Sequence, residues 1–338
     1  MSIREAIEKL VNRVNLSEAE MISLMNEIMT GEATPLQVAS FLTALRMKGE
    51  TVEEITGAAR VMREKAHRVN VRSKTVVDTC GTGGDQKGTF NISTTCAFVL
   101  AGAGVHVAKH GNRSVSSQSG SADVLAALGV KVDAPRERVE ACIEKIGIGF
   151  LFAPLLHEAM KYAVQPRRDI GIRTIFNLLG PLTNPAMATH QLMGLYSGAL
   201  IGTIAHVLKN LGSVRAMVVH GNEGLDEISL CGPTQVAELR DGVVTEYVFE
   251  PEAVGIKKCR LEDLRGGSAE ESAAVVRAVL QGKKGATRDV VLLNSGAALY
   301  VSGTVASVAE GVRLAAESID SGKAQQKLEG LVRMSNAA

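Results

Sequence analysis

Residues 76–95 read VVDTCGTGGDQKGTFNISTT, and the order of residue types in this stretch decides the fold that follows. Val76 and Val77 are β-branched and favour an extended segment. Gly81, Gly83 and Gly84 let the backbone turn sharply and approach an anion, and Asn91, Ser93, Thr94 and Thr95 open a helix. A strand, a glycine turn and a helix N-terminus in succession make a phosphate cradle, because free N–H groups and the helix dipole both favour negative charge. Neither common nucleotide template fits. A Walker loop needs Gly-Lys-Ser/Thr, but here Lys87 precedes Gly88, and a dinucleotide fingerprint starting at Gly81 needs glycine where Gln86 stands.

Before the cradle, residues 1–70 carry helical periodicity: IREAIEKLV, LSEAEMISLMNEIMTG with Ser17 as N-cap and Glu20 three residues on, TPLQVASFLTALRMKG and TVEEITGAARVMREKAHRV. Gly31 and Gly49 close two of these helices. From Val76 on, short β-branched runs alternate with Ala/Gly-rich helical stretches. The runs are TVVDT (75–79), VHVAKHG (105–111), VKVDA (130–134), GIGFLF (147–152), VRAMVVHG (214–221), EYVFE (246–250) and DVVLLNS (289–295). Such alternation predicts an α/β protein: a small all-helical N-terminal domain plus a larger α/β domain with a mainly parallel central sheet covered by helices. The helical domain takes residues 1–70 with a return at about 165–185, where RRDIGIRTIFNLLGPLTNPA is apolar and broken by prolines. The α/β domain takes 74–164 and 186–338.

Composition narrows the function classes. With 338 residues, 46% of them apolar, the chain buries a large core, and a formal charge of +1 argues against a broad basic surface for nucleic acid. Cys80, Cys96, Cys142, Cys231 and Cys259 are odd in number and widely spaced, which points to a reducing cytoplasm rather than a disulfide framework or zinc site. No apolar run approaches the roughly 18 to 20 residues that span a bilayer, and the opening residues lack a secretory pattern. No HExxH is present, since His157-Glu158 lacks the second histidine, and no GxSxG occurs.

Three more segments carry chemistry. Residues 107–129, VAKHGNRSVSSQSGSADVLAALG, offer Lys109, His110, Asn112, Arg113 and serines 114, 116, 117, 119 and 121 just before a helix expected near Ala122 or Asp123. Two anion-friendly loops at the carboxyl ends of neighbouring strands suit the crevice where open α/β sheets bind ligands. HGNEGLDEISL (220–230) sets Asp226 beside Glu227, a pair suited to a hard divalent cation or, alternatively, an exposed acidic turn. Arg167, Arg168 and Arg173 each suit recognition of a carboxylate.

GTGGD (81–85), NIST (91–94), KHGNRSVSS with GSADVL, RTIFNLLGPLTNP and GLDE (224–227) together resemble the anthranilate phosphoribosyltransferases of tryptophan biosynthesis. The likeness runs from the helical opening to LLNSGAALYVSG (292–303). It implies that 5-phosphoribosyl 1-diphosphate (PRPP) binds at Gly81, Gly84, Asp85, Thr89, Asn91, Ile92, Ser93 and Thr94. Continuing through the second loop, it implies Lys109, His110, Gly111, Asn112, Arg113, Ser114, Val115, Ser116, Ser117 and Ser121. Anthranilate is expected at Gly81, Asn112 and Arg167, with Arg168 the alternative, and Mg²⁺, two ions per subunit, at Ser93, Asp226 and Glu227. The resemblance also implies a homodimer formed through the helical domain and raises an anthranilate synthase partner; neither nucleic acid nor membrane is expected.

The reaction so implied joins the anthranilate amine to ribose C1 and expels pyrophosphate. An aryl amine is already neutral, so no dedicated acid or base is expected. Lys109, backbone N–H groups and Mg²⁺ stabilise the leaving group, one such donor being worth ~3 to 4 kcal/mol. The competing readings are a pyrimidine nucleoside phosphorylase, which lacks the KHGN loop, and a non-catalytic relative that binds nucleic acid, which the near-zero net charge disfavours.

Overall fold

The computed structural model describes residues 1–85, 87–114 and 119–337. Helices Ile3–Val11, Glu18–Thr30, Pro35–Lys48 and Val52–Lys65 open the chain. Each starts at a hydroxyl residue in a reciprocal capping box: Ser2 with Glu5, Ser17 with Glu20, Thr34 with Gln37, Thr51 with Glu54. Gly31 and Gly49 end the second and third at φ 80° and 91°, which glycine adopts at no steric cost. Helices Lys161–Ile170 and Phe176–Leu182 return to this unit: the first packs on the second and third N-terminal helices, the second on the fourth. Their Ala163, Phe176 and Leu179 share one apolar core with Met25, Phe41 and Ile55.

Seven strands form one sheet among the described residues: β1 Val76–Gly81, β2 His106–Gly111, β3 Ile148–Phe152, β4 His190–Gly194, β5 Arg215–Gly221, β6 Thr234–Arg240 and β7 Val243–Phe249. Their order is β3-β2-β1-β4-β5-β6-β7. Pairs among β1 to β5 are parallel, and β6 and β7 are added antiparallel. The chain leaves β1 toward β2 on one side, while β4 lies on the other, so the strand order reverses at β1/β4, where open sheets leave a crevice. Alternate residues face opposite cores. Leu192 and Met217 join the C-terminal helices, whereas Met193 and Val218 join the helical unit.

Two expected strands are not strands. VKVDA links helices Ser121–Ala127 and Arg136–Ile146; Val130 and Val132 are buried, but the Lys131 N–H goes to Ser335 Oγ at 3.0 Å, not to a ladder. DVVLLNS lies inside helix Ala286–Val301, which buries Val290, Val291, Leu293 and Ala297. A helix buried all round loses its amphipathic stripe, and its β-branched run then resembles a core strand. The converse misses are β4, whose His190 and Gln191 interrupt its apolar character, and β6.

Candidate active site

Strands β1, β2, β4 and β5 all end in glycine: Gly81, Gly111, Gly194 and Gly221. The reason is clearest at Gly194, where a Cβ would collide with the main chain of Asp226, and at Gly81, where it would strike the Asp226 carboxylate. The 222–233 connection therefore lies directly on the ends of β1 and β4, which sets Asp226 and Glu227 at the switch point.

The glycine loop rises to meet this pair. Gly83 and Gly84 take φ of 66° and 71°, and the Gly83 N–H donates to Asp226 Oδ2 at 2.7 Å. Helix Ile92–Gly102 begins after Asn91, whose side chain makes no cap bond; instead Glu227 Oε1 accepts the Ser93 N–H at 3.1 Å. A residue far along the chain thus caps the helix and points its carboxyl at the positive end of the dipole.

Electrostatics here favour a cation. Burial, followed by the charge of Asp85, pushes the Asp226 carboxyl up to about 7, and burial with neighbouring Asp226 raises Glu227 well above the ordinary carboxylate range. Asp85 Oδ2 is buried and has no hydrogen-bond partner among the described residues. Clustered carboxylates with an orphaned oxygen fit a divalent ion. No group of three or more His, Cys, Asp or Glu side chains among the described residues forms a complete metal cage. That donor set suits Mg²⁺, which takes one or two carboxylates together with phosphate oxygens and water.

Lys109 is 3% exposed; its Nζ donates to the Thr79 carbonyl at 2.6 Å and lies 3.3 Å from Ser93 Oγ. It reaches β1 because the β1/β2 register holds only at Val76 with His106 and Val77 with Val107, while β2 pairs with β3 all the way to Gly111. Beyond Val77 side chains replace the ladder. Asp78 Oδ1 accepts the His110 N–H at 3.3 Å, and Asn184 Nδ2 donates to both Asp78 Oδ2 and the Ala108 carbonyl, at 2.8 and 2.7 Å. Burial raises the Asp78 carboxyl to about 6.

His110 is buried with its ring 5.1 Å from that of His157; burial, then His157, lowers it to about 3, so the ring is neutral. Gly111 has no room for a side chain beside Ser121 and Phe150. Asn112 offers its carbonyl to the Ala122 N–H at 3.2 Å, while Arg113 pairs with Asp123 at 2.9 Å and the Ser114 N–H reaches Asp123 Oδ2 at 3.0 Å. Ser121 is itself the first residue of helix Ser121–Ala127, slightly earlier than the sequence suggested. Val115, Ser116 and Ser117 lie outside the described residues. Ile92 and Thr94 are buried, so the helix's first-turn N–H groups are what they offer an anion.

Thr89 forms an isolated antiparallel bridge with Arg265, and flanking bonds run from the Phe90 N–H to the Leu264 carbonyl at 3.1 Å and from the Gly266 N–H to the Gly88 carbonyl at 2.9 Å. The 264–266 strap gave no chemical signal in the sequence, and neither did Gly194 or Asn184 as site residues. Of the three arginines, Arg173 is engaged by the protein: it stacks 4.3 Å from the Tyr196 ring centroid and donates to the Gly84 carbonyl. Arg168 is exposed, whereas Arg167 is half-buried and lies 5.1 Å from the centre of the Phe176 ring.

Comparison with known proteins matches this arrangement. Residues 73–325 fit the model of the glycosyl transferase family a/b domain, and residues 4–66 fit that family's helical bundle domain. An anthranilate phosphoribosyltransferase of Geotalea uraniireducens is 56% identical over 99% of both chains, and one of Acetivibrio thermocellus is 55% identical over 99% of this chain and 97% of its own. The crystal structure of the Thermus thermophilus enzyme superposes with a TM-score of 0.94 at 45% identity, covering 98% of this chain and 99% of that one. The Saccharomyces cerevisiae enzyme in complex with PRPP and Mg gives 0.90 at 28% identity, covering 99% and 98%. On the glycine-ended strands, the cradle and full-length likeness of this degree, the chain belongs to the glycosyl transferase family, among its anthranilate phosphoribosyltransferases.

Proposed function

We propose that the protein transfers the phosphoribosyl group of PRPP to the amine of anthranilate, giving N-(5-phosphoribosyl)anthranilate and pyrophosphate in tryptophan biosynthesis. The observation that carries this reading is the carboxylate pair held against both halves of a phosphate cradle, Asp226 on the Gly83 N–H and Glu227 on the Ser93 N–H.

The diphosphate sits on the glycine loop, from Gly81, Gly84 and Asp85 through Thr89 and Asn91, and on the first turn at Ile92, Ser93 and Thr94. Residues Lys109 to Ser114 and Ser121 take its remaining oxygens in this reading. Mg²⁺, two ions per subunit, held by Ser93, Asp226 and Glu227, supplies charge neutralisation for the departing diphosphate. The C1–O bond breaks as the amine nitrogen forms the new C1–N bond, and the ammonium proton leaves to solvent afterwards. Lys109, buried beside Ser93, supports the negative charge that grows on the leaving group, and no side chain is required as a base. His110 being neutral agrees with that. Gly81, Asn112 and Arg167 orient anthranilate, the half-buried arginine taking its carboxylate.

Residues 1–70 with 165–185 form the smaller domain in this reading, and its exposed Leu36, Met47 and Val11 support pairing of two copies there. The five cysteines are all free, which supports a cytoplasmic setting, and an anthranilate synthase partner would deliver the aromatic substrate. Loss of anthranilate fluorescence that requires both PRPP and Mg²⁺ tests the function. Phosphorolysis of thymidine instead would assign the protein to the nucleoside phosphorylases.

A further inference from the structure

The C-terminal pattern LLNSGAALYVSG contains Asn294, fully buried on helix Ala286–Val301. Its amide closes on one residue of the carboxylate connection. Oδ1 accepts the Ile228 N–H at 2.9 Å, and Nδ2 donates to the Ile228 carbonyl at 2.9 Å and to the Val290 carbonyl at 2.9 Å. The Ile228 N–H belongs to the peptide that leaves Glu227. Without a strand alongside, this buried N–H and C=O would be orphaned, and a side-chain amide supplies the missing donor and acceptor as a neighbouring strand would.

Glu227 is thus held at both ends: its carboxylate by the Ser93 N–H at 3.1 Å, its main chain by Asn294. Adjacent bonds fix the rest of the connection, with the Gly221 N–H on the Leu225 carbonyl at 2.9 Å and the Ser229 N–H on Thr234 Oγ1 at 2.9 Å. These two are local to the connection. Asn294 alone among them ties it to a rigid helix of the core, 66 residues from Ile228.

We infer that Asn294 is a positioning residue for the metal-binding carboxylates, fixing the Glu227 main chain so that both carboxylates meet the ion without reorganisation. The inference rests on the reading of Asp226 and Glu227 as Mg²⁺ ligands. Outer-shell partners of ligands are worth roughly 10- to 100-fold in metal affinity.

The test measures Mn²⁺ binding to the full-length protein with PRPP present, by the electron paramagnetic resonance of free Mn²⁺, in wild type, Asn294→Leu, Asn294→Ala and Glu227→Gln. Leucine keeps the volume and removes the bonds. The expected result is roughly tenfold weaker Mn²⁺ binding in both Asn294 variants. Anthranilate affinity should stay within about twofold, and kcat should recover at saturating metal, a split that a merely structural role would not produce. Wild-type Mn²⁺ affinity in the Asn294 variants, with Glu227→Gln weakened, overturns the inference alone. Wild-type affinity in Glu227→Gln overturns the metal-site reading and the inference with it. If neither Asn294 variant folds, exchange of the Ile228 amide in the wild type decides: slowing by Mn²⁺ with PRPP supports the coupling, and an unchanged rate refutes it.

Discussion

Asn184 Nδ2 stands 2.8 Å from Asp78 Oδ2 and 2.7 Å from the Ala108 carbonyl, so one amide bridges β1 and β2 just where their ladder stops. Asn184→Ala leaves a buried carboxylate oxygen and a buried carbonyl without this donor, a loss of about 1–3 kcal/mol of stability. Because the bridge aims the segment from Lys109 to Gly111, the Michaelis constant for PRPP should rise more than that for anthranilate. Urea unfolding and steady-state kinetics check the two effects separately.

Gly194→Ala directs a methyl group into the Asp226 main chain, which has no flexible end to give way. The connection must lift from the sheet, and kcat/KM should fall by about 100-fold or more while the fold survives. Circular dichroism together with the fluorescence assay reads both, and an active Gly194→Ala enzyme would show that the close approach is dispensable.

Asp226→Asn combined with Glu227→Gln keeps shape and removes charge. Turnover should drop by about 10²–10³-fold, and added Mg²⁺ should no longer stimulate it. Isothermal titration with anthranilate should find its binding little changed.

Arg167→Ala should raise the anthranilate Michaelis constant about tenfold with kcat nearly unchanged, since it removes an interaction made equally in ground and transition states. Arg168→Ala, at an exposed position, should change neither by more than about twofold. An unaltered anthranilate Michaelis constant in Arg167→Ala removes that residue from the site.

Two buried imidazoles should each withdraw stability as the pH falls. Burial lowers His110 from 6.5 to about 3 and His157 from 6.5 to about 4, so the unfolded chain binds more protons than the folded one between these values and 6.5. Their contribution is therefore full above pH 6.5 and lost as the pH falls toward 4 and then 3. Asp78, raised from 3.8 to about 6, acts in the opposite sense, contributing most below 3.8 and losing that contribution as the pH rises to 6. Asp226 and Glu227, raised by burial, act in that same opposite sense, so the histidine contribution is read by comparison: the melting temperature of His157→Gln relative to wild type should rise as the pH falls from 7 to 4.5. Calorimetry across the range settles the sign.

Legibility followed the range of the interactions. Ser17 with Glu20 was readable as a helix start because the capping box closes over three residues, and the VVDTCGTGGD turn because its glycines act on their own φ angles. DVVLLNS reads as a strand in the sequence because burial on every side of helix Ala286–Val301 erases the periodicity that distinguishes the two. β4 was missed because its Gln191 is polar; its side chain is buried by donating to the Pro181 carbonyl at 2.7 Å, a partner ten residues back that no local pattern announces. Arg173 read as a candidate for carboxylate recognition but serves the glycine loop, because its position brings it against Gly84 and Tyr196.

The sequence by itself determined the helical opening, the alternation that makes a mainly parallel sheet, the phosphate cradle and the acidic pair, all of which depend on residue type and short spacing. Tertiary structure decided how they act together. Glu227 caps a helix 134 residues away, Asn184 fills a gap in the sheet opposite Asp78, and Gly194 makes room for Asp226. Strand order and register set such meetings, and a chain's linear pattern carries no distance between residues that only the folded sheet brings side by side.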